Sequence, residues 1–197
     1  YPMLRSLVGS EMCIRDSTKY ESLPDDIGTE VVLCGRSNAG KSTSLNRLTE
    51  NSKLARTSKT PGRTTEINFF RVDAQLRLLD LPGYGYAKSQ KKNASMWDKF
   101  MSDYFSKRKS LKAAVLFMDI RHPLKPIDLE MIKLCESFDI DYVVVLTKSD
   151  KVSKNISAKT IQQVSEAINA KEILAISSLN KTGFDKLRKV LIGFKYE

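Results

Sequence analysis

The sequence predicts an α/β fold, built on a mostly parallel sheet with helices on both faces, and two observations carry that expectation. From Thr29 onward, six short β-rich runs alternate with stretches of helical periodicity. Four of those runs are near-continuous in Val, Ile and Leu, as central strands covered on both faces require. The linker Asp73–Gln75, between the second and third runs, is too short to cross the sheet. That pair must therefore be an antiparallel hairpin, expected at one edge.

The strands are expected at Val31–Cys34, Ile67–Val72, Leu76–Asp80, Ala113–Asp119, Tyr142–Thr147 and Glu172–Ser177. Helical patterns lie between and after them. Met96–Lys107 sets Trp97, Phe100, Met101 and Tyr104 on one stripe, and Asp128–Phe138 does the same with Ile132, Leu134, Cys135 and Phe138. Ser157–Asn169 and Lys181–Phe194 complete the set. The aromatic stripe, Cys34 and Cys135 read as core. His122, in Arg121-His122-Pro123, reads as a turn residue rather than a base.

At 197 residues the chain suits one domain, and 41% apolar with 28% charged residues is ordinary for a water-soluble protein. Its longest apolar runs are far too short to cross a bilayer. Three cysteines without metal-ligand spacing suggest a reduced, cytoplasmic protein. The net charge of +10 points to an anionic partner. Residues Ser6–Ser17 read SLVGSEMCIRDS, which resembles one reading frame of a transposon-end adapter used in sequencing libraries. Residues 1–17 are therefore expected to be non-native and disordered, with residues 18–197 as the domain. The charges of Arg5, Arg15, Glu11 and Asp16 cancel, so the surplus belongs to the domain.

Gly35-Arg36-Ser37-Asn38-Ala39-Gly40-Lys41-Ser42 fits G-x-x-x-x-G-K-[ST], between a strand and a helix. Glycines let backbone N–H groups curl around phosphate oxygens, and the helix points its positive end at them. Lys41 would reach the β- and γ-phosphates, and the Ser42 hydroxyl would ligate Mg²⁺. Asp80-Leu81-Pro82-Gly83 ends an apolar strand, where Asp80 can hold Mg²⁺ through water and the Gly83 N–H can meet the γ-phosphate. Thr147-Lys148-Ser149-Asp150 also ends a buried strand. There the Asp150 carboxylate can accept from both guanine donors while the Lys148 stem covers the base. Two charge-assisted hydrogen bonds of roughly 1.5–3 kcal/mol each would favour guanine over adenine by about 10²–10⁴-fold. Thr147 stands where many GTPases have asparagine.

Ile176-Ser177-Ser178 precedes Lys181-Thr182-Gly183 and suits a loop that offers an N–H to the guanine O6, or a helix cap, or both. The polar stretch Asn51–Glu66 holds Lys53, Arg56, Lys59 and Arg63 with no acid before Glu66. It reads as a switch segment in which Thr64 or Thr65 supplies a metal ligand. Lys88, Lys91 and Lys92 follow the second phosphate motif, so both segments are expected to present positive charge to RNA.

With these elements in order, the chain resembles the EngB family of small bacterial GTPases. The segments LARTSKTPGRTTEINFF, DLPGYGYA, MDIRHPL and LTKSDKV carry the resemblance, which spans roughly residues 18–197. It implies a Ras-like P-loop fold with GTP or GDP as ligand. It further implies a monomeric switch acting on the large ribosomal subunit, through rRNA and ribosomal protein, and needed for normal cell division and septation. Carried over, Ser42 and Thr64 would be the Mg²⁺ ligands, and Lys41, Thr64 and Gly83 the catalytic contacts. Nucleotide contacts would fall on Gly35–Ser42, on Gly62, Arg63, Thr64, Thr65 and Glu66, on Asp80–Gly83, on Thr147–Asp150 and on Ile176–Ser178. Thr147 is usual in this family, whereas Thr65 replaces a common glutamine. Asn38 resembles an asparagine that holds K⁺ in some related GTPases, and Tyr84 replaces the water-orienting glutamine of Ras-like proteins, so hydrolysis is expected to be slow. Two other functions are compatible with parts of this pattern: a P-loop kinase of a small molecule, and a basic RNA-binding protein indifferent to nucleotide.

Overall fold

The computed structural model describes residues 10–14, 20–51, 54–55, 67–82 and 94–196. Its strands are β1 (Ser10–Ile14), β2 (Thr29–Gly35), β3 (Ile67–Arg71), β4 (Leu76–Asp80), β5 (Leu111–Asp119), β6 (Asp141–Thr147) and β7 (Glu172–Ala175). They form one seven-stranded sheet in the order β1-β3-β4-β2-β5-β6-β7. β4, β2, β5, β6 and β7 run parallel, while β3 and β4 form the expected antiparallel hairpin. All six expected strands are present, with ends shifted by a few residues at most.

The sheet carries one strand beyond the six expected: Ser10–Ile14, within the segment expected to be non-native and disordered, pairs antiparallel with β3, with an irregularity between Ser10 and Met12, so the β3–β4 hairpin lies one strand in from that side. The physical reason lies in β3. Its outer side would otherwise present unpaired backbone N–H and C=O groups, a template that almost any extended segment can satisfy.

The helices are α1 (Lys41–Leu48), α2 (Ala94–Lys107), α3 (Pro126–Ser137), α4 (Lys154–Ala167) and α5 (Phe184–Gly193). Strand alternation splits the core in two. Val32, Cys34, Ala114, Leu116, Val144 and Leu146 face α2, α3 and α4. Val31, Leu33, Val115, Phe117, Val143 and Val145 face α1 and α5. Trp97, Phe100 and Tyr104 stack in sequence along α2, with ring centroids 5.7 and 5.9 Å apart. Cys34 and Cys135 are free and buried, as expected of core residues.

At the amino-terminal ends of the parallel strands lies a charged cluster that the sequence reading missed. Glu30 on β2 is fully buried. It accepts from the Tyr104 hydroxyl at 2.7 Å and from Arg108 Nε and Nη2 at 2.9 and 2.6 Å. Arg77 Nη1 and Arg108 Nη2 also donate to the Asp25 carbonyl, at 2.7 and 3.2 Å. This network ties the segment before β2 to α2 and leaves the opposite edge of the sheet to the candidate site.

Candidate functional site

Because β2, β4, β5 and β6 are parallel, Gly35, Asp80, Asp119 and Thr147 all close at one edge, and the residues after β7 join them. Crevices at the carboxyl ends of parallel strands are where such sheets bind ligands.

The 35–42 segment leaves β2 and enters α1 through Gly40, whose φ of 87° lies in the left-handed region. A Cβ at Gly40 would also press on Thr147, 3.3 Å from its Oγ1. Lys41, on the first turn of α1, is buried and pairs with the Asp80 carboxylate. The two phosphate motifs are thus joined directly, and the carboxylate compensates a buried ammonium. Ser42 is half-buried on the same turn. Its hydroxyl and the Asp80 carboxylate are hard oxygen donors of the kind Mg²⁺ takes, so this donor set fits the ion. Leu81 and Pro82 are buried behind Asp80, and the Leu81 N–H donates to Leu33 O at 3.2 Å.

The 147–150 loop is fastened to the 35–42 segment at two points. Thr147 Oγ1, fully buried, donates to Ala39 O at 2.6 Å. Lys148 adopts φ 59°, and its Nζ donates to Asn38 O at 2.8 Å. Ser149 N donates to Ile176 O at 3.1 Å, bringing in the loop after β7. In that loop Ser177 and Thr182 form an isolated antiparallel bridge, and Gly183 enters α5 at φ 82°. The Ser177 hydroxyl donates to Asp150 Oδ1 at 2.7 Å and accepts from Asn180 N at 3.0 Å. The Ser177 hydrogen bond, aided by nearby Lys151, holds the Asp150 carboxyl below the ordinary aspartate range. Asp150 is therefore an ionised acceptor at neutral pH. Ser178 is half-buried beside Ser177.

Of the residues singled out in the sequence, Gly35–Ser42, Asp80–Pro82, Thr147–Asp150 and Ile176–Ser178 converge here. Gly62, Arg63, Thr64, Thr65, Glu66 and Gly83 lie outside the described residues, as do Tyr84, Lys53, Arg56, Lys59, Lys88, Lys91 and Lys92. His122 is exposed, and its N–H donates to Asp119 O at 2.9 Å, as a turn residue should.

The ion pairs made by Asp119 and Asp128 at this edge escaped the sequence reading. Asp119 binds Lys148 Nζ at 2.9 Å and Arg121 Nη2 at 2.6 Å. Arg36 Nε lies 3.3 Å from the buried Asp128 carboxylate, and its Nη2 donates to His122 O at 3.3 Å. The available signal was an acid closing an apolar run, Asp119 after Met118, in register with Thr147 across the β5–β6 pair.

Comparison with known proteins agrees with this geometry. Residues 30–148 match the model of a family described as 50S ribosome-binding GTPase. A probable GTP-binding protein EngB of Pasteurella multocida is 48% identical over 170 residues, covering 84% of this chain and 83% of that protein. One from Coxiella burnetii is 45% identical over 182 residues, covering 90% and 89%. A crystal structure of a probable GTP-binding protein engB superposes with a TM-score of 0.68 over 85% of this chain and 99% of the other. At 24% identity that likeness concerns the fold alone.

Proposed function

Since the chain belongs to the EngB family of GTP-binding proteins, with a GTPase domain, we propose that it is a monomeric, cytoplasmic switch that binds GTP with Mg²⁺, hydrolyses it slowly and acts in assembly of the large ribosomal subunit. Cell division and septation would depend on it through that role. The observation that supports this reading best is the joining of three loops at one sheet edge, through Lys41 with Asp80, Thr147 with Ala39, and Asp150 with Ser177. A triphosphate would use the Lys41 ammonium and guanine the Asp150 carboxylate.

In this reading the N–H groups of residues 35–42 and the start of α1 bind the phosphates. Lys41 shares its ammonium between Asp80 and the β- and γ-phosphates, and Asp150 accepts from the two guanine donors. Ser42, with Thr64, would hold Mg²⁺, and Asp80 would support it; bound there, the ion would offset charge on the phosphate oxygens. Water attacks the γ-phosphorus, the bond to the bridging oxygen breaks, and GDP leaves. Lys41 and the Gly83 N–H stabilise the charge that develops. Tyr84 lacks the amide that orients this water in Ras-like proteins, which keeps turnover slow. Asn38 would hold K⁺ in the same reading, and the ion would supply positive charge to offset that of the transition state.

The partner follows from charge. Lys53, Arg56, Lys59 and Arg63 precede the third strand, and Lys88, Lys91 and Lys92 follow Asp80, so nucleotide state can regulate a basic face. Co-sedimentation with large ribosomal subunits tests this. Binding should be stronger with a GTP analogue than with GDP and should weaken steeply as salt is raised. Equal binding in both states at every salt concentration would contradict the switch.

A further inference from the structure

Lys148 is held in an unusual way. It is a non-glycine residue at φ 59°, a conformation that disfavours an L side chain. Its side chain retains 33% exposure, so an untethered ammonium would be drawn into solvent. Two acceptors prevent this: Asn38 O at 2.8 Å and Asp119 Oδ2 at 2.9 Å. Of these, Asp119 is the charged one, and it is built to stay in place. It closes β5 in register with Thr147, and Ile120 N donates to Thr147 O at 3.1 Å. Arg121 donates to Oδ1 from its backbone N at 3.1 Å and from Nε at 2.9 Å, and to Oδ2 from Nη2 at 2.6 Å. Those bonds, with a further contribution from Lys148, hold the Asp119 carboxyl well below the usual carboxylate range.

We propose that Asp119 is a positioning residue for the nucleotide base, its carboxylate holding the Lys148 side chain across the 35–42 segment so that the lysine stem covers one face of the guanine. This rests on reading the site as a guanine pocket. Asp119 touches no nucleotide atom in this account; it removes the rotamer freedom that Lys148 would otherwise lose on binding. Arg121, 43% exposed, braces the carboxylate from the solvent side.

A double-mutant cycle tests the assignment. Kd and the dissociation rate of fluorescent GDP are measured for the parent, Asp119→Ala, Asp119→Asn, Lys148→Ala and the double variants, with thermal melting of each. Asp119→Ala should raise Kd about tenfold, the worth of one charge-assisted hydrogen bond. Asp119→Asn, which keeps an acceptor and nearly the same shape, should raise it less. In the Lys148→Ala background either substitution should change Kd by less than about twofold, because the group through which Asp119 acts is gone. Equal losses with and without Lys148 would make Asp119 a merely structural residue and overturn the proposal, as would an unchanged Kd in folded Asp119→Ala or Asp119→Asn. A parent that binds ADP as tightly as GDP would overturn the guanine pocket itself, a failure distinct from the other two.

Discussion

Thr147 is where many guanine-binding loops carry asparagine, and its surroundings say what the side chain must do there. The Ala39 carbonyl sits inside the 35–42 turn, and Thr147 Oγ1 reaches it at 2.6 Å without the extra length of an amide. Thr147→Val keeps the shape and removes the donor, leaving a buried carbonyl unpaired at a cost of about 1–3 kcal/mol. GDP affinity should fall roughly tenfold while the helical circular dichroism stays unchanged; an unaltered Kd would show that this tie does not hold the turn. Thr147 and Asp150 were legible because the motif Thr147-Lys148-Ser149-Asp150 directly follows the apolar run Tyr142–Leu146. Asp119 was not legible as a partner of Lys148, since that contact depends on which strand lies next to which and where both end. The Arg36–Asp128 ion pair was hidden for the same reason, its members being far apart in the chain.

Strands and helices were legible wherever a period dominated. Leu76–Asp80 came out to the residue, and the stripe on Met96–Lys107 is buried as its spacing requires. Helix starts were less legible. α3 begins at Pro126, two residues before the apolar pattern, because proline at the first turn gives up no hydrogen bond and Asp128 caps the Lys125 N–H at 3.0 Å. β1 could not be read, since its pairing is decided by the free side of β3. The Glu30 cluster was illegible too: a carboxylate inside the run Thr29–Gly35 is acceptable only because Tyr104 and Arg108 arrive from α2 and the residues after it. Arg108→Ala removes the closest cationic partner of that carboxylate, leaving Tyr104 and the longer contact to Arg77 at 3.4 Å, and should lower unfolding free energy by about 3 kcal/mol in urea titration. GDP affinity should be retained, because the cluster lies at the far edge of the sheet. A loss below about 1 kcal/mol would mean that Glu30 finds other partners.

For the molecule as a whole, parallel topology is what converts separate motifs into one site. Four strands deliver Gly35, Asp80, Asp119 and Thr147 to the same edge, and the loop after β7 closes round Asp150. Among the described residues no helix is long and apolar enough to cross a membrane. At the opposite ends of these strands the buried Glu30 carboxylate is paired internally with Arg108. If the edge that carries Thr147 reads guanine through Asp150, competition of GTP, ATP and XTP for the parent and for Asp150→Asn will show it. The parent should prefer GTP over ATP by about a hundredfold or more, and Asp150→Asn should lose GTP and take XTP in its place. A parent that binds ATP as tightly as GTP, or an Asp150→Asn protein that keeps its GTP affinity, would contradict it.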